Sequence, residues 1–316
     1  VYYSYRIAEP VIKALGGSLG TGVLAGGWGC VALVSQVLIV SPVGTSVLSN
    51  FVRESRFKSV IERYSSKNVE SWHRLSPSDP LNTVPGGYIC GIVRGSDLYN
   101  AMLDYVRSEP ARASSELNAI LRLLESVDVS REVVEVFLYN TQTCNSRLCR
   151  SLLEDYLRGE GVRVQSIEIR GLGSLHEFDS GLVEVLDKVV RVVVDRKRQG
   201  TRVYVNATPG FKPESTFFVI ASILAGADSI FYIHEGFREL VRLPMPPLSL
   251  RRDEVEELVR LLGTEGGAPL YAVRQELGDE GVRRLVEMGL VEKREGMLVL
   301  RRWVRKLLEV FESGTG

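Results

Sequence analysis

From Ser35 onward, short runs of β-branched and aliphatic residues alternate with longer amphipathic stretches, and this alternation limits the fold more than any other feature of the chain. A strand reads as an unbroken apolar run when helices cover both faces of its sheet. Residues 36–41, 133–139, 162–169, 202–206 and 229–234 are strand candidates of this kind, with a short piece at 240–243. Helical patterns lie between them at 47–64, 97–107, 113–125, 146–158, 177–198 and 213–225. The series predicts an α/β fold with a Rossmann-like, doubly wound and mainly parallel sheet, and a functional crevice outside the strand carboxyl ends. At 316 residues and 45% hydrophobic content the chain can bury a core of that size. Residues 65–95 are polar and proline-containing and read as irregular.

The pattern breaks at Leu243-Pro244-Met245-Pro246-Pro247, where three prolines forbid helix and stiffen the connection. Beyond it, 251–262, 269–277 and 280–288 read as short helices. Residues 290–293 and 297–300, joined by a Glu295-Gly296 turn, read as a wing, and a last helix covers 302–311. Helix, helix, helix, β-ribbon is the order of a winged helix-turn-helix. The expected division is therefore an extension over 1–34, a ligand-binding domain over 35–247 and a small winged-helix domain over 248–316.

No charge occurs between Lys13 and Arg53, so a hydropathy window would flag 20–40 as a membrane span or signal sequence. The stretch is dense in glycine, with Gly26-Gly27-Trp28-Gly29 at its centre, and Val37-Leu38-Ile39-Val40 reads better as a buried strand. Residues to about 33 are expected outside the fold, as a start codon placed too far upstream would leave them, with Val34 as the true first residue. Lys and Arg balance Asp and Glu at 39 each, so any polyanion site has to be local. Cys30, Cys90, Cys144 and Cys149 form no CxxC pair, and there are three histidines. That argues against a zinc site or a disulfide framework and toward a reducing cytosol. No HxH, HExxH or clustered carboxylates suggest a metal, no cofactor is implied, and the P-loop and dinucleotide fingerprints are absent.

Three strand ends run into loops rich in hydroxyl, amide and glycine groups: Pro42-Val43-Gly44-Thr45-Ser46, Asn140-Thr141-Gln142-Thr143, and Asn206-Ala207-Thr208-Pro209-Gly210-Phe211-Lys212-Pro213-Glu214. Each opens a helix, where backbone N–H groups beside a hydroxyl form an anion-binding nest. The plainer reading is that Ser46 and Thr143 cap their helices, but three such loops on one sheet edge favour a shared site. Lys212 is the sharpest signal. A cation in the first helical turn opposes the positive end of the macrodipole, which suggests that an anion is bound there. Pro213 and Glu214 suit the first turn on structural grounds alone. Arg170 and His176 fit an Arg-x5-His nuclease spacing but occupy a glycine-containing loop, so the match reads as coincidence. His234 closes a strand and either lines the crevice or is held structurally.

Together, Val43-Gly44-Thr45-Ser46, Ser115-Glu116-Leu117-Asn118, the run from Asn206 to Glu214, and Tyr232-Ile233-His234-Glu235 with Leu243-Pro244 resemble the CRISPR-associated Rossmann-fold (CARF) proteins. The similar branch is that of standalone members with a winged-helix tail, which includes ring nucleases. The resemblance covers about 36–247, and Gly210-Phe211-Lys212-Pro213-Glu214 is its most specific part. Pro209 departs from the glycine common in relatives. The resemblance implies a cytoplasmic homodimer that binds a cyclic oligoadenylate, most often the four-membered ring, between two copies of one crevice. It further implies metal-independent cleavage, in which a ribose 2′-hydroxyl attacks the adjacent phosphodiester and leaves 2′,3′-cyclic phosphate ends. Lys212 would then stabilise phosphoryl charge and Ser46 would position the phosphate. Gly44, Thr45, Thr141, Gln142, Thr143, Asn206, Thr208, Pro209, Gly210 and Phe211 would complete the binding surface. No residue stands out as a general base.

Three functions stay open: a ring nuclease that ends signalling, a transcription regulator gated by the ring, and an activated ribonuclease. From Arg251 onward there are 12 Lys and Arg against 13 Asp and Glu, and residues 280–288 offer only Arg283 and Arg284. That balance is poor for DNA phosphate neutralisation, so DNA is possible but not favoured, and the tail is expected to serve dimerisation. The ribonuclease reading lacks an Arg-to-His pair in the carboxyl-terminal helices.

Overall fold

The structure, a computed structural model, describes residues 36–84, 86–127, 129–171, 178–209, 212–233, 239–243, 260–263, 266–287 and 289–306. The expected extension, residues 1–34, lies outside them, as do His176 and His234. The central element is a six-stranded sheet of β1 (Val37–Pro42), β2 (Val134–Thr141), β3 (Arg163–Ile169), β4 (Arg202–Asn206), β5 (Ser229–Ile233) and β6 (Leu240–Leu243), in the order β3-β2-β1-β4-β5-β6. The first five strands run parallel and β6 closes the edge antiparallel. The chain leaves β1 toward β2 on one side and returns to β4 on the other. The order therefore reverses between β1 and β4, which is where an open parallel sheet leaves a crevice at its strand ends.

Alternate residues of the apolar runs feed two cores. Val37, Ile39, Val136 and Leu138 pack beneath α1 (Ser46–Phe51), α3 (Asp97–Ser108), α4 (Ser115–Val127) and α5 (Cys144–Gly159). Leu38, Val40, Phe137, Tyr139, Val203 and Val205 pack on the other face, against α6 (Phe178–Val185), α7 (Arg191–Arg198) and α8 (Lys212–Leu224). Burial on both faces accounts for the unbroken apolar character of β1 and β2, where nearly every residue is buried.

Several expected elements change shape. The stretch 47–64 is not one helix: α1 ends at Phe51, a 3₁₀ turn follows at Ser55–Phe57, and α2 covers Lys58–Arg63. The break carries Glu54, a carboxylate only 7% exposed that pairs with Arg56 and Arg112. The stretch 177–198 contains a π-helical insertion, Leu186–Val190, between α6 and α7. There the Lys188 carbonyl accepts a hydrogen bond from the buried Tyr139 hydroxyl at 3.1 Å. Residues 65–95 form a chain of 3₁₀ turns rather than shapeless loop.

The argument against disulfides fails as well. Cys90 of the last of these turns is bonded to Cys144 at the start of α5. The two stand 54 positions apart, and packing of the 3₁₀ segment on α5 brings their Cα atoms to 4.9 Å, a proximity that no local spacing reveals. With it goes the cysteine-based argument for a reducing compartment. Among the described residues no helix is long and apolar enough to cross a membrane.

In the tail, β7 (Gly267–Pro269), β8 (Val291–Arg294) and β9 (Met297–Leu300) form an antiparallel sheet in the order β7-β9-β8. Pro269 thus belongs to a strand, not to the start of a helix. α9 (Leu270–Glu287) is continuous except at Gly278, whose φ of 70° and ψ of 173° separate its two halves. Glycine meets that left-handed φ without a Cβ clash. Leu262, Val273, Val282, Val291, Leu298, Leu300 and Val304 make the small core. The tail meets the sheet-bearing body through the Phe217–Trp303 edge-to-face pair and the Arg301–Asp179 and Lys306–Asp187 ion pairs.

Candidate functional site

The loops after β1 and β4 flank the point where the strand order reverses, and the loop after β2 lies beside them. At the reversal, Asn206, fully buried, donates from Nδ2 to Ser41 Oγ at 3.1 Å and so links the ends of β1 and β4. Its Oδ1 accepts the Thr208 N–H at 3.0 Å, an Asx turn that starts the loop. Thr208 Oγ1 in turn accepts the Ile233 N–H at 3.0 Å and ties the loop to β5. Pro209 is buried; Gly210 and Phe211 lie outside the described residues. Lys212 is the first residue of α8, so its backbone stands at the amino terminus of a 13-residue helix. Its side chain lies outside the description.

The β1–α1 loop is organised by a residue to which sequence reasoning gave no role. Glu116 is completely buried near the start of α4. Its Oε1 accepts the Gly44 N–H at 2.7 Å. Its Oε2 accepts the hydroxyls of Ser46 at 2.8 Å and Ser114 at 2.7 Å. The Ser115 hydroxyl lies 3.1 Å from the same oxygen and 3.2 Å from Ser46 Oγ, with one proton for the two. Ser46 Oγ also accepts the Ser115 N–H at 3.1 Å. Ser114 serves Glu116 while capping α4, accepting the Leu117 N–H at 3.2 Å. Ser46 therefore does not cap its own helix, and Thr45, at the cap position, donates instead to the His73 carbonyl at 3.3 Å. Burial, then the nearby Arg74 and Arg53 charges, hold the His73 imidazole below its ordinary pKa.

On the β2–α5 loop, Thr143 occupies the cap position but its hydroxyl pairs with Thr141 Oγ1 at 2.9 Å. The Thr141 N–H donates to Ser146 Oγ at 3.2 Å, and Gln142 is half-buried between them. Beneath lies Asn140, 2% exposed, which donates to the Thr141 carbonyl at 2.7 Å and leaves Oδ1 without a partner. Next to it on β3, Glu168 receives the Arg147 guanidinium as a fork, at 2.6 and 2.9 Å. That fork is the main reason the Glu168 carboxyl sits below its usual range. Asn140, Arg147 and Glu168 were unreadable because their partnership depends on strand register and helix placement. Glu116 stands in one of the runs that carry the resemblance, but its role was unreadable because an acid in a first helical turn is ordinary on its own. The geometry thus brings the rims of all three loops to one edge of the sheet, with Gly44, Ser46, Asn206 and Thr208 locked by internal hydrogen bonds.

The fold and this rim define an α/β protein with polar loops gathered at the reversal of a mostly parallel sheet. Residues 111–246, from just before α4 to just beyond β6, match the family described as CRISPR-associated protein (Cas_APE2256). The span holds Glu116 and the loops after β2 and β4. Among solved structures, a crystal structure of protein VC1899 from Vibrio cholerae is similar at 15% identity with a TM-score of 0.32. The match covers 61% of this chain and 64% of that one.

Proposed function

We propose that the protein is a CARF ring nuclease: a cytoplasmic homodimer that binds a cyclic oligoadenylate, with cyclic tetra-adenylate the first choice, and opens it without a metal. The observation that carries this reading is the convergence of three polar loops at the reversal point, with Lys212 opening α8 on one of them. The match to a CRISPR-associated family over residues 111–246 supports the biological setting. In this reading the amino terminus of α8 and the Lys212 ammonium stabilise charge on the scissile phosphoryl group as the ribose 2′-hydroxyl attacks. Ser46 turns its proton from Glu116 to a phosphate oxygen, while Glu116 keeps the Gly44 N–H and the Ser114 hydroxyl. Glu116 is thus a positioning residue that fixes the β1–α1 loop before the ligand arrives.

The test is incubation of the full chain with radiolabelled cyclic tetra-adenylate in EDTA. Linear di-adenylate supports the enzyme, and an intact ring retained on the protein supports a sensor. A second reading, a ring-gated regulator, draws on the tail: three antiparallel strands packed on a helix pair broken at Gly278 are consistent with a winged helix. Duplex-DNA binding that changes with the ring would favour it.

A further inference from the structure

The Cys90–Cys144 disulfide lies beside an opening of about 210 Å³. Both cysteines line that opening, with Tyr99, Ser151, Arg94 and Arg147 around them. Arg94 pairs with Glu154 and Asp155, and Arg147 with Glu168, so the opening is not an ion site. What it gives is access to sulfur. The two sulfurs differ in surroundings. Cys90 is partly exposed, whereas Cys144 is 3% exposed and is the first residue of the 16-residue α5. Negative charge left on Cys144 would meet the positive end of that helix. Cys90 Sγ stands 3.4 Å from the Thr83 carbonyl oxygen and 3.6 Å from that of Leu81. A disulfide sulfur has no proton to offer them, but a thiol has, so Cys90 already has acceptors for its reduced form. The segment that carries Cys90 is held in two unequal parts. Up to Asn82 it is tied to α5 by buried polar bonds: Asn82 Oδ1 accepts the Asn145 N–H at 3.0 Å, and Asn145 Nδ2 donates to the Trp72 carbonyl at 3.2 Å. Beyond Asn82, Val84, Tyr88 and Val93 are exposed, and Ile89 is the one described residue of 83–93 that is fully buried. A stretch with so little burial depends on its crosslink.

We infer that Cys90–Cys144 is a thiol–disulfide exchange site for a small thiol, and that its state decides whether residues 83–93 are pinned to α5. The site does not depend on the ring-nuclease reading. The thiolate of the entering molecule attacks Cys90 Sγ. A new S–S bond joins the two, the Cys90–Cys144 bond breaks, and its electron pair leaves on Cys144 as a thiolate. A second equivalent of the small thiol then attacks the sulfur of the first and releases Cys90 as a thiolate, the small molecule departing as its own disulfide. Two electrons thus pass from the small thiols to the protein, and the small-molecule disulfide reverses the sequence. Cys149 stays out of this exchange, because burial holds its thiol well above the ordinary pKa.

The test uses the full chain with Cys30→Ser, incubated under native conditions with reduced glutathione, quenched in acid, alkylated and mapped by mass spectrometry. A glutathione adduct on Cys90 or the free Cys90–Cys144 dithiol supports the site, provided that it forms at a rate proportional to glutathione and insensitive to denaturant below the unfolding transition. An adduct on Cys144 instead, or thiols that appear only once the chain unfolds, would overturn the inference. In oxidised glutathione, Cys144→Ser should be modified at Cys90 at least about tenfold faster than Cys90→Ser is at Cys144, because access governs the rate. Equal rates would contradict the choice of Cys90 as the attacked sulfur. Hydrogen exchange reads the release itself. After reduction the N–H groups of Gly87 and Cys90, bonded to the Leu81 and Gly87 carbonyls, should lose protection, while the Asn145 N–H on Asn82 keeps it. Loss at all three, or at none, would contradict a release confined to 83–93.

Discussion

The crevice rim and the tail junction are held by opposite means. At the rim the fixing groups lie inside: a fully buried carboxylate with its donors, a disulfide at the start of α5, and an amide that links β1 to β4. At the junction the described ones lie nearer the surface, as the partly exposed Arg301–Asp179 and Lys306–Asp187 pairs beside the Phe217–Trp303 contact. Buried polar groups are costly to leave unpaired, so they enforce one geometry, whereas exposed ion pairs are screened and cheap to rearrange. The rim is thus held in one arrangement, and the junction tolerates adjustment of the tail.

The contrast predicts a ranking of stabilities. The largest effect should come from the disulfide, because it closes a 54-residue separation. Loop-closure entropy for that length is worth about 4 kcal/mol. Denaturant unfolding with and without reductant should show a drop of this order, reproduced in Cys90→Ser. An unchanged midpoint would remove the disulfide from the rim's support. Next, Glu116→Ala strips the acceptor from Gly44, Ser46 and Ser114 in a dry site and should cost about 3 kcal/mol by the same measurement. Glu116→Gln, which keeps an acceptor oxygen, should cost less. A neutral Glu116→Ala would mean that the loop is held by something else.

How much of this was legible in the sequence follows the same division. β1 and β2 announce themselves because burial on both faces makes them continuously apolar, whereas the proline cluster lies outside the described residues. Gly278 keeps the two expected tail helices apart although they form one span. The three rim loops could be named from composition, since hydroxyls and glycines before a helix are a local signal. What holds them was not local. Ser46 meets Glu116 across 70 positions, and Asn145 N–H reaches Asn82 Oδ1 across 63.

Smaller effects sharpen the comparison. Glu168, held below its ordinary pKa chiefly by the Arg147 fork, contributes stability that is fully present above the unfolded carboxylate pKa, about 4.3. That contribution falls away as pH drops from there through the lower folded value. Arg147→Gln should flatten this part of the acid limb of a stability–pH curve, and an unaltered slope would deny the pairing. Smallest of all, Asp179→Asn or Lys306→Gln should change global stability by less than about 1 kcal/mol, with a still smaller effect in molar salt. A loss as large as that of Glu116→Ala would erase the distinction between rim and junction.

The central claim rests on Lys212 at the head of α8. It is tested most directly by single-turnover cleavage of cyclic tetra-adenylate under saturating protein and EDTA, comparing the parent chain with Lys212→Ala. The account predicts linear products from the parent and a rate lower by roughly 10²-fold or more in the variant, the scale of losing one charge-stabilising donor, with ring binding much less affected. Cleavage by Lys212→Ala at the parental rate, or parental cleavage that appears only with added magnesium, would contradict it.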